Sequence, residues 1–472
     1  MPRARAETSN VLGSPDGHSH SSSPISTDST FLVGLSVALY ALLCAFLLSR
    51  NVEAGAAAAL APAAVLLVFQ KSTTATSRQA KLAWLLLVVA ACPWQTLAVT
   101  SYGQVSTGSE ADAAKFLVTA LAFGLAFLAR VPRKYPSPVS LLLGYALVAA
   151  LGGLASTDPS SSVLRAIRFA VVVIALFWVT GRLTRYQLAT LFLQFSVAVS
   201  FIAIAGHLAG ISAPGQEGRL AGYLPPLQPN VLGIVAAAGC LCAVALLAQR
   251  KLQLSLFTAA IAILGLTLIL TQSRTSLAAL IVSLLVLGGP RLNSRATITV
   301  GLITLIVVVG AFLQTNTHYR PLTALSTHNG NTTTTHSLGS RLSEWEAVFQ
   351  INDSPLTQAI GQGLATKSVE VNLSSARYAP VDGSWPAAYL SAGFIGALIL
   401  AASVLTAARE AIRSRNNLAL MALVFLVISS LTTDVFNDIS VGLILFLSIG
   451  IGDASTVAIA PRSTVAMAQP IR

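Results

Sequence analysis

Charged residues are scarce in this chain. Of its 472 residues only 10% are Asp, Glu, Lys or Arg, whereas 54% are hydrophobic. A soluble domain carries about 25% charged residues, so this sequence lacks the polar residues that a water-facing surface needs. Cysteine is also scarce: the four cysteines lie in apolar stretches and form no CxxC pair, which argues against a disulfide framework or a thiolate metal site. The composition therefore predicts an all-α protein embedded in a membrane.

Apolar stretches long enough to cross a bilayer recur along the chain. A spanning helix needs about 20 mostly apolar residues, and fourteen stretches approach that length. We predict a polytopic membrane protein with about 12–14 transmembrane helices and one large extracytoplasmic loop. The candidates lie at 31–49, 54–70, 82–99, 113–130, 138–155, 162–180, 187–211, 231–248, 252–271, 276–289, 296–313, 386–408, 417–432 and 439–455.

The predicted organisation has five parts. Residues 1–30 are Ser-rich and polar, which is typical of a disordered tail, here cytoplasmic. A transmembrane helical domain follows at 31–313. The extracytoplasmic loop, with short helices, occupies 314–385, and C-terminal transmembrane helices occupy 386–455. Residues 456–472 form a cytoplasmic tail.

The distribution of charge predicts the orientation. Every predicted cytoplasmic connection carries Lys or Arg, as in Arg130 with Lys134 and Arg250 with Lys251, while outer loops carry acids such as Asp434. This pattern satisfies the positive-inside rule with the N-terminus in the cytoplasm. The net charge of +12 is then a matter of topology. We expect membrane lipids as partners and no nucleic acid.

Several arginines lie on the predicted outer side, where the positive-inside rule does not require them. Arg165 and Arg168 share one helix face, Arg219 and Arg274 lie in outer connections, and Arg341 lies in the long loop. Guanidinium groups suit the oxygens of phosphate. A cluster at this surface would bind a lipid-linked phosphate or diphosphate; the alternative is snorkelling or pairing with outer acids.

Four segments between about 210 and 410 combine arginine or glycine with a helix start or a turn. They are GRLAGYLPPLQPNVLG, LILTQSRTSLAAL, GSRLSEWEAVFQINDSPLTQAIGQG and AAYLSAGFIGALIL. In order and in place, these segments resemble the motifs of the O-antigen ligase and polymerase superfamily.

The resemblance implies a multi-pass glycosyltransferase of the bacterial inner (plasma) membrane. Such enzymes ligate or polymerise a cell-envelope glycan outside the cytoplasm, moving it from a polyprenyl (undecaprenyl-type) diphosphate to a glycan or lipid-linked acceptor. They need no metal or other cofactor. By resemblance, Arg219 and Arg274 are catalytic residues that bind the donor diphosphate and offset the charge on the leaving group.

One position departs from the family pattern. The family usually has a His-Asn pair eleven residues before the first glycine of Gly-x-x-Gly, and counting back from Gly393 gives Asp382. This aspartate would replace the histidine as the catalytic base, or it is a turn residue in Asp-Gly. Glu344 is a second candidate base, or an ion partner of Arg341.

Aromatic residues near these positions are candidates for binding sugar. Trp345, Trp385 and Tyr389 would stack on sugar rings in a substrate site that also includes Arg165, Arg168, Arg341 and Glu344. Aromatic anchors at the membrane interface are the alternative reading of the three rings.

Two other functions stay open. A transporter or flippase of lipid-linked sugars would also need many spans, although such proteins often show inverted repeats and we find no convincing repeat here. A non-catalytic relative that only binds a lipid-linked glycan is the second alternative, since the family histidine is missing.

Overall fold

A computed structural model describes most of the predicted helical regions. The described residues are 75–92, 109–131, 134–156, 158–208, 219–223, 226–287, 345–350, 354–371 and 377–451. The span candidates at 31–49, 54–70 and 296–313, together with both predicted tails, lie outside these ranges. The division of the chain into five parts stays a prediction.

Besides the helical residues 345–350, twelve α-helices make up nearly all of the regular structure in the described residues. They are α1 (Ala75–Ala91), α2 (Ser109–Leu128), α3 (Ser137–Leu154), α4 (Pro159–Thr180), α5 (Arg185–Leu208), α6 (Pro229–Ala248), α7 (Leu254–Thr271), α8 (Arg274–Leu287), α9 (Pro355–Ile360), α10 (Ser384–Arg413), α11 (Asn417–Ser430) and α12 (Val441–Leu445). A π-helical turn, Phe446–Gly450, continues α12.

Six of these helices are long and apolar enough to cross a membrane, judged by length and composition: α3 to α7 and α10. Shorter apolar helices lie within α2, α8 and α11 and at Val441–Gly450. The predicted all-α polytopic membrane fold is therefore confirmed. α1 begins at Ala75 rather than at 82, because polar residues such as Arg78 and Lys81 continue the helix before its apolar part.

Short polar residues start several of these helices. The Asp158 side chain accepts a hydrogen bond from Ser161 N at the start of α4, and Pro159 occupies the first turn. Asn416 accepts from Ala419 N before α11, and Ser440 accepts from Leu443 N before α12. These side chains pair amides that have no partner within the helix, so the boundaries are encoded locally.

Two short antiparallel hairpins interrupt the helical order. Gly222–Tyr223 (β1) pairs with Pro226–Leu227 (β2), and Ser368–Val371 (β3) pairs with Arg377–Pro380 (β4). Neither hairpin is expected from the sequence. Residues 345–350 are helical, within the SRLSEWEAVFQ stretch for which a short helix is expected.

Consecutive helices reverse direction and pack side by side. α3 packs against α4 and α10, α6 packs against α5 and α7, and α8 packs against α11. The starts of α4, α6, α8 and α10 lie at one end of the bundle with the ends of α3, α7 and α11. Close contacts join them there: Gly153 with Ser162, Gly233 with Ser273 and Gly383 with Leu431. We call this the arginine end, after Arg219 and Arg274.

A break in α10 joins the preceding segment to the bundle. Gly393 has φ +64° and ψ −167° inside the helix, so the carbonyls of the preceding turn lose their partners one turn ahead. Gln362 N donates to Leu390 O at 2.9 Å, and Gly363 N donates to Ser391 O at 2.8 Å. Residues 362 and 363 thus supply the amides that the broken helix does not.

Glycines allow this contact to be close. A Cβ on Gly393 would lie 2.3 Å from the Ala359 carbonyl carbon, and one on Gly363 would lie 2.5 Å from Gly153 Cα. Gly153 belongs to the last turn of α3. The segment 354–371 is therefore held between the end of α3 and the break in α10.

Replacing Gly393 by alanine tests this junction. We expect Gly393→Ala to lower the thermal unfolding midpoint in detergent, because a left-handed φ costs an L-residue about 1–2 kcal/mol before the clash with Ala359 is counted. Gly265→Ala in α7 is the matched control, since a Cβ there meets no atom within 4 Å. Equal midpoints for the two variants would contradict the close contact.

Candidate functional site

Arg219 lies at the arginine end, where the last residue of α7 and the first turn of α6 come together. Arg219 Nε donates to Thr271 O at 3.1 Å, and its Nη2 donates to Asn230 Oδ1 at 2.8 Å. Thr271 ends α7 and Asn230 lies in the first turn of α6. A hydrogen bond from Leu220 N to Leu270 O, at 2.9 Å, also holds the residue after Arg219 against the end of α7. Arg219 is therefore held by backbone and amide oxygens.

The electrostatic environment of Arg219 favours an anion. Burial lowers the pKa of its guanidinium, and the positive charge of Arg274 lowers it further. A guanidinium stays protonated even so, and Arg274 is exposed. Two like charges near each other, one of them half-buried, would both be stabilised by a negatively charged group between them.

The turn that carries Arg274 is packed tightly against α6. Gln272 adopts a left-handed φ of 53°, which reverses the chain between α7 and α8. Ser273 and Ser276 are buried and share a hydrogen bond of 2.7 Å. A Cβ on Gly233 would lie 2.6 Å from Ser273 Cβ, so only a glycine in α6 lets the helix approach this turn.

A second group of polar residues lies in the loop 431–440, between α11 and α12. The Asp434 carboxylate accepts hydrogen bonds from Asn437 N at 3.1 Å and Asn437 Nδ2 at 3.2 Å. Tyr145 in α3 donates its hydroxyl to Asn437 Oδ1. Asp438 pairs with Lys367 from the segment 354–371. Elements distant in sequence thus converge on this loop.

The two carboxyl groups in the loop have different pKa values. Burial raises the pKa of Asp434 to about 6, and the charge of Asp438 acts in the same direction. Burial also disfavours charge on Asp438, but Lys367 and Arg168 outweigh burial and hold its pKa well below the ordinary value. Divergent environments for neighbouring carboxyl groups are a feature of acid and base sites.

The comparison with known families bears on this end of the bundle. Residues 259–401 match the model of the family described as O-antigen ligase. The match covers less than half of the chain, and it makes this segment similar to an O-antigen ligase domain. It runs from within α7 to within α10 and contains Arg274, Lys367 and Asp382, whereas Arg219 and Asp434 lie on either side of it. No curated protein matches the chain.

The structure places the predicted arginines in two groups. Arg219 lies with Arg274, as described above. Arg165 and Arg168 lie on α4, and their charges act on Asp438; their predicted role toward the substrate stays a prediction. Arg168 is only 8% exposed, and its guanidinium carbon lies 5.4 Å from the centre of the Phe116 ring. Arg341 lies outside the described residues.

Asp382 is adjacent to the polar loop. Trp345 Nε1 donates to Asp382 O at 3.0 Å, and Gly383 follows with φ 98°. Ser384 Oγ then accepts hydrogen bonds from Val435 N at 2.8 Å and from Phe436 N at 3.2 Å. The segment 382–384 therefore brings the predicted Asp382 beside the loop that carries Asp434. Glu344 lies outside the described residues.

The three predicted sugar-binding aromatics all lie at this end, and each has a partner in the protein. Besides the Trp345 bond to Asp382, the Trp385 ring lies 6.3 Å from that of Phe436, and the Tyr389 ring lies 5.0 Å from that of Phe349, between centroids. Trp385 and Tyr389 are half-buried. These contacts hold the rings in place, and their predicted role toward sugar stays a proposal.

Sequence reasoning misses Asp434, Asp438 and Lys367 as candidates. The two aspartates count there as ordinary outer-loop acids, and Lys367 lies in a segment without a motif. The available signal is the polar stretch TTDVFNDIS between two apolar helices. A loop with two acids and an asparagine indicates a buried polar site only once its packing against α3 and α10 is known.

Removing the Ser384 hydroxyl tests whether the loop 431–440 is held as described. We expect Ser384→Ala to destabilise the protein by about 2 kcal/mol, because two buried amides lose their acceptor, and to speed hydrogen exchange at Val435 and Phe436. Ser391→Ala is the matched control: its hydroxyl is equally buried but makes no hydrogen bond within the described part of the chain. Similar effects for both variants would contradict the assignment.

Proposed function

We propose that the protein is a membrane glycosyltransferase that ligates or polymerises a cell-envelope glycan carried on a polyprenyl diphosphate. The O-antigen ligase domain supports a glycosyl-transfer type of enzyme from a membrane glycan ligase and polymerase family. The Arg219–Arg274 pair is the observation that carries the finer proposal. A half-buried guanidinium group near an exposed one suits a ligand with adjacent phosphates.

The donor diphosphate would lie between these two arginines. Arg219 is fixed by Asn230 and Thr271, so it keeps its position without a ligand. In the transfer, the bond from the anomeric carbon to a diphosphate oxygen breaks, and its electron pair stays on that oxygen. The two guanidinium groups would stabilise the negative charge that develops there.

The acceptor needs a base on its side of the reaction. Its hydroxyl oxygen would attack the anomeric carbon while the hydroxyl proton passes to a carboxylate. Asp434 is the better candidate by chemistry, because a carboxyl group with a pKa of about 6 is a stronger base than an ordinary aspartate. Asp382 lies on the adjoining segment and is the second candidate for the same role.

We assign the arginine end to the extracytoplasmic face of the bacterial inner membrane. Basic residues concentrate at the connections of the opposite end, where the positive-inside rule would put the cytoplasm. Those at the described turns are Arg130, Lys134, Arg182, Arg185, Arg250, Lys251, Arg413 and Arg415. Together with the two spans predicted at 31–49 and 54–70, this orientation would put the N-terminus in the cytoplasm. Lipid-linked donor and acceptor glycans would meet outside.

Substituting the arginines in purified protein tests the donor site. With a polyprenyl-diphosphate glycan and an acceptor in detergent, we expect Arg219→Ala and Arg274→Ala each to lower the transfer rate by about 10²-fold, since one lost donor to a developing anion has that effect. Arg413→Ala, at the opposite end, should leave the rate unchanged. Full transfer by Arg274→Ala would refute the diphosphate role, and glycan movement across vesicles without bond formation would support a flippase.

The pH dependence tests the base. A protonated carboxyl cannot accept the hydroxyl proton, so we expect transfer to fall as the pH drops through about 6, the pKa of Asp434. Asp434→Asn should abolish transfer, and Asp382→Asn should keep the wild-type midpoint. The converse result, with transfer lost only in Asp382→Asn, would assign the base to Asp382.

A further inference from the structure

The ion pair between Lys367 and Asp438 connects two segments that the chain keeps far apart. Lys367 Nζ contacts Asp438 Oδ2, with the lysine side chain 48% exposed and the aspartate 19% exposed. Asp438 Oδ1 also accepts a hydrogen bond from Ile439 N at 2.7 Å. Arg165 and Arg168 act on the same carboxylate from α4. One cation therefore contacts this anion, and two more act on it electrostatically.

We propose that Lys367 and Asp438 are positioning residues that act on the reaction through Asp434: their ion pair governs the charge state of the Asp434 carboxylate. This inference rests on the proposed function, in which Asp434 is the base. In this role the ion pair affects the reaction itself, besides joining the segment 354–371 to the loop 431–440.

The backbone holds both partners in place. Val381 N donates to Lys367 O at 3.0 Å, and the amides of Gln362 and Gly363 are bonded to the broken turn of α10. On the other side, Ser384 and Ser440 fix the loop 431–440 through the bonds to Val435 N and Val435 O. The separation between Lys367 and Asp438 is therefore set by packing and does not depend on their mutual attraction alone.

The charges that face Asp434 act in opposite directions. From its own loop, Asp438 disfavours the charged form of Asp434, while the bonds from Asn437 favour it. From the segment 354–371, Lys367 favours the charged form. From α3, Tyr145 reaches Asp434 through Asn437. Removing the lysine and removing Asp438 should thus change the titration of Asp434 with opposite signs.

A purely structural pair predicts something different. If Lys367 and Asp438 only fasten the hairpin to the loop, either substitution loosens the same contact. Both variants would then lose activity at every pH, and the titration of Asp434 would keep its midpoint or move in one common direction. Opposite movements are therefore the observation that separates the two roles.

The test uses full-length protein in detergent and two readouts. Labelling of protonated Asp434 by a hydrophobic carbodiimide, quantified by mass spectrometry across pH, reports its titration without any substrate. The pH profile of transfer reports the reaction. We expect Lys367→Met to move both midpoints up and Asp438→Asn to move both down, by about one pH unit each, the lower end of the effect of one neighbouring charge.

Charge-preserving and charge-balanced variants serve as controls. Lys367→Arg should keep the wild-type midpoint of Asp434 labelling. Lys134→Met removes a positive charge beyond the opposite end of α3 and should not move that midpoint. The double variant Lys367→Met with Asp438→Asn should return the midpoint toward the wild-type value. This double variant also keeps the test decisive if Lys367→Met alone does not fold.

The outcomes separate this inference from the proposed function. Unchanged labelling midpoints, or midpoints that move in the same direction for both single variants, would overturn the role of the pair. Labelling midpoints that move as expected while the pH profile of transfer stays fixed would uphold the coupling and overturn the assignment of Asp434 as the base.

Discussion

Backbone groups inside an apolar bundle must find partners, and α10 departs from regular helix at Gly393. Where no water is available, an unpaired carbonyl is costly. At the break, the amides of residues 362 and 363 donate to the unpaired carbonyls. These hydrogen bonds hold the segment 354–371 against α10. Because glycines at 153, 363 and 393 admit close contact, the same segment also meets the end of α3. The position of Lys367, a few residues later, follows from these contacts.

The charges at the arginine end divide into two environments with different chemistry. Around Arg219, positive charge is reinforced by Arg274, which suits an anionic ligand. Around Asp434, carboxylates and cations alternate, and the balance between them determines which carboxyl carries a proton. In a glycosyl transfer the leaving group needs positive charge nearby, whereas the attacking hydroxyl needs a carboxylate that accepts its proton. The proposed division of roles follows from local electrostatics and needs no large movement of the chain.

The helices and the two arginines can be picked out from the sequence because the patterns that indicate them are local. Apolar stretches of sufficient length predict the spans, and the observed helix bounds follow them closely from Ser137 to Leu287. Arg219 and Arg274 stand out because the predicted topology does not require positive charge there. Asp434 and Asp438 give no such signal, since acids in a predicted outer loop are ordinary. Nor does the sequence indicate that the charges of Arg165 and Arg168 act on Asp438, a partner more than 250 positions away.

Local sequence is enough to establish the membrane-embedded helical class, the helix starts at residues such as Asp158 and Ser440, and the resemblance to O-antigen ligases. These depend on composition and on contacts within a few residues. Which polar groups meet depends on the folded bundle: Lys367 with Asp438, Ser384 with the amides of Val435 and Phe436, and Tyr145 with Asn437. Such contacts arise from packing between α3, α10 and the loop 431–440, and pairings at long range leave no periodic trace along the chain. A pKa, which depends on burial and on neighbouring charges together, is therefore a property of the folded bundle.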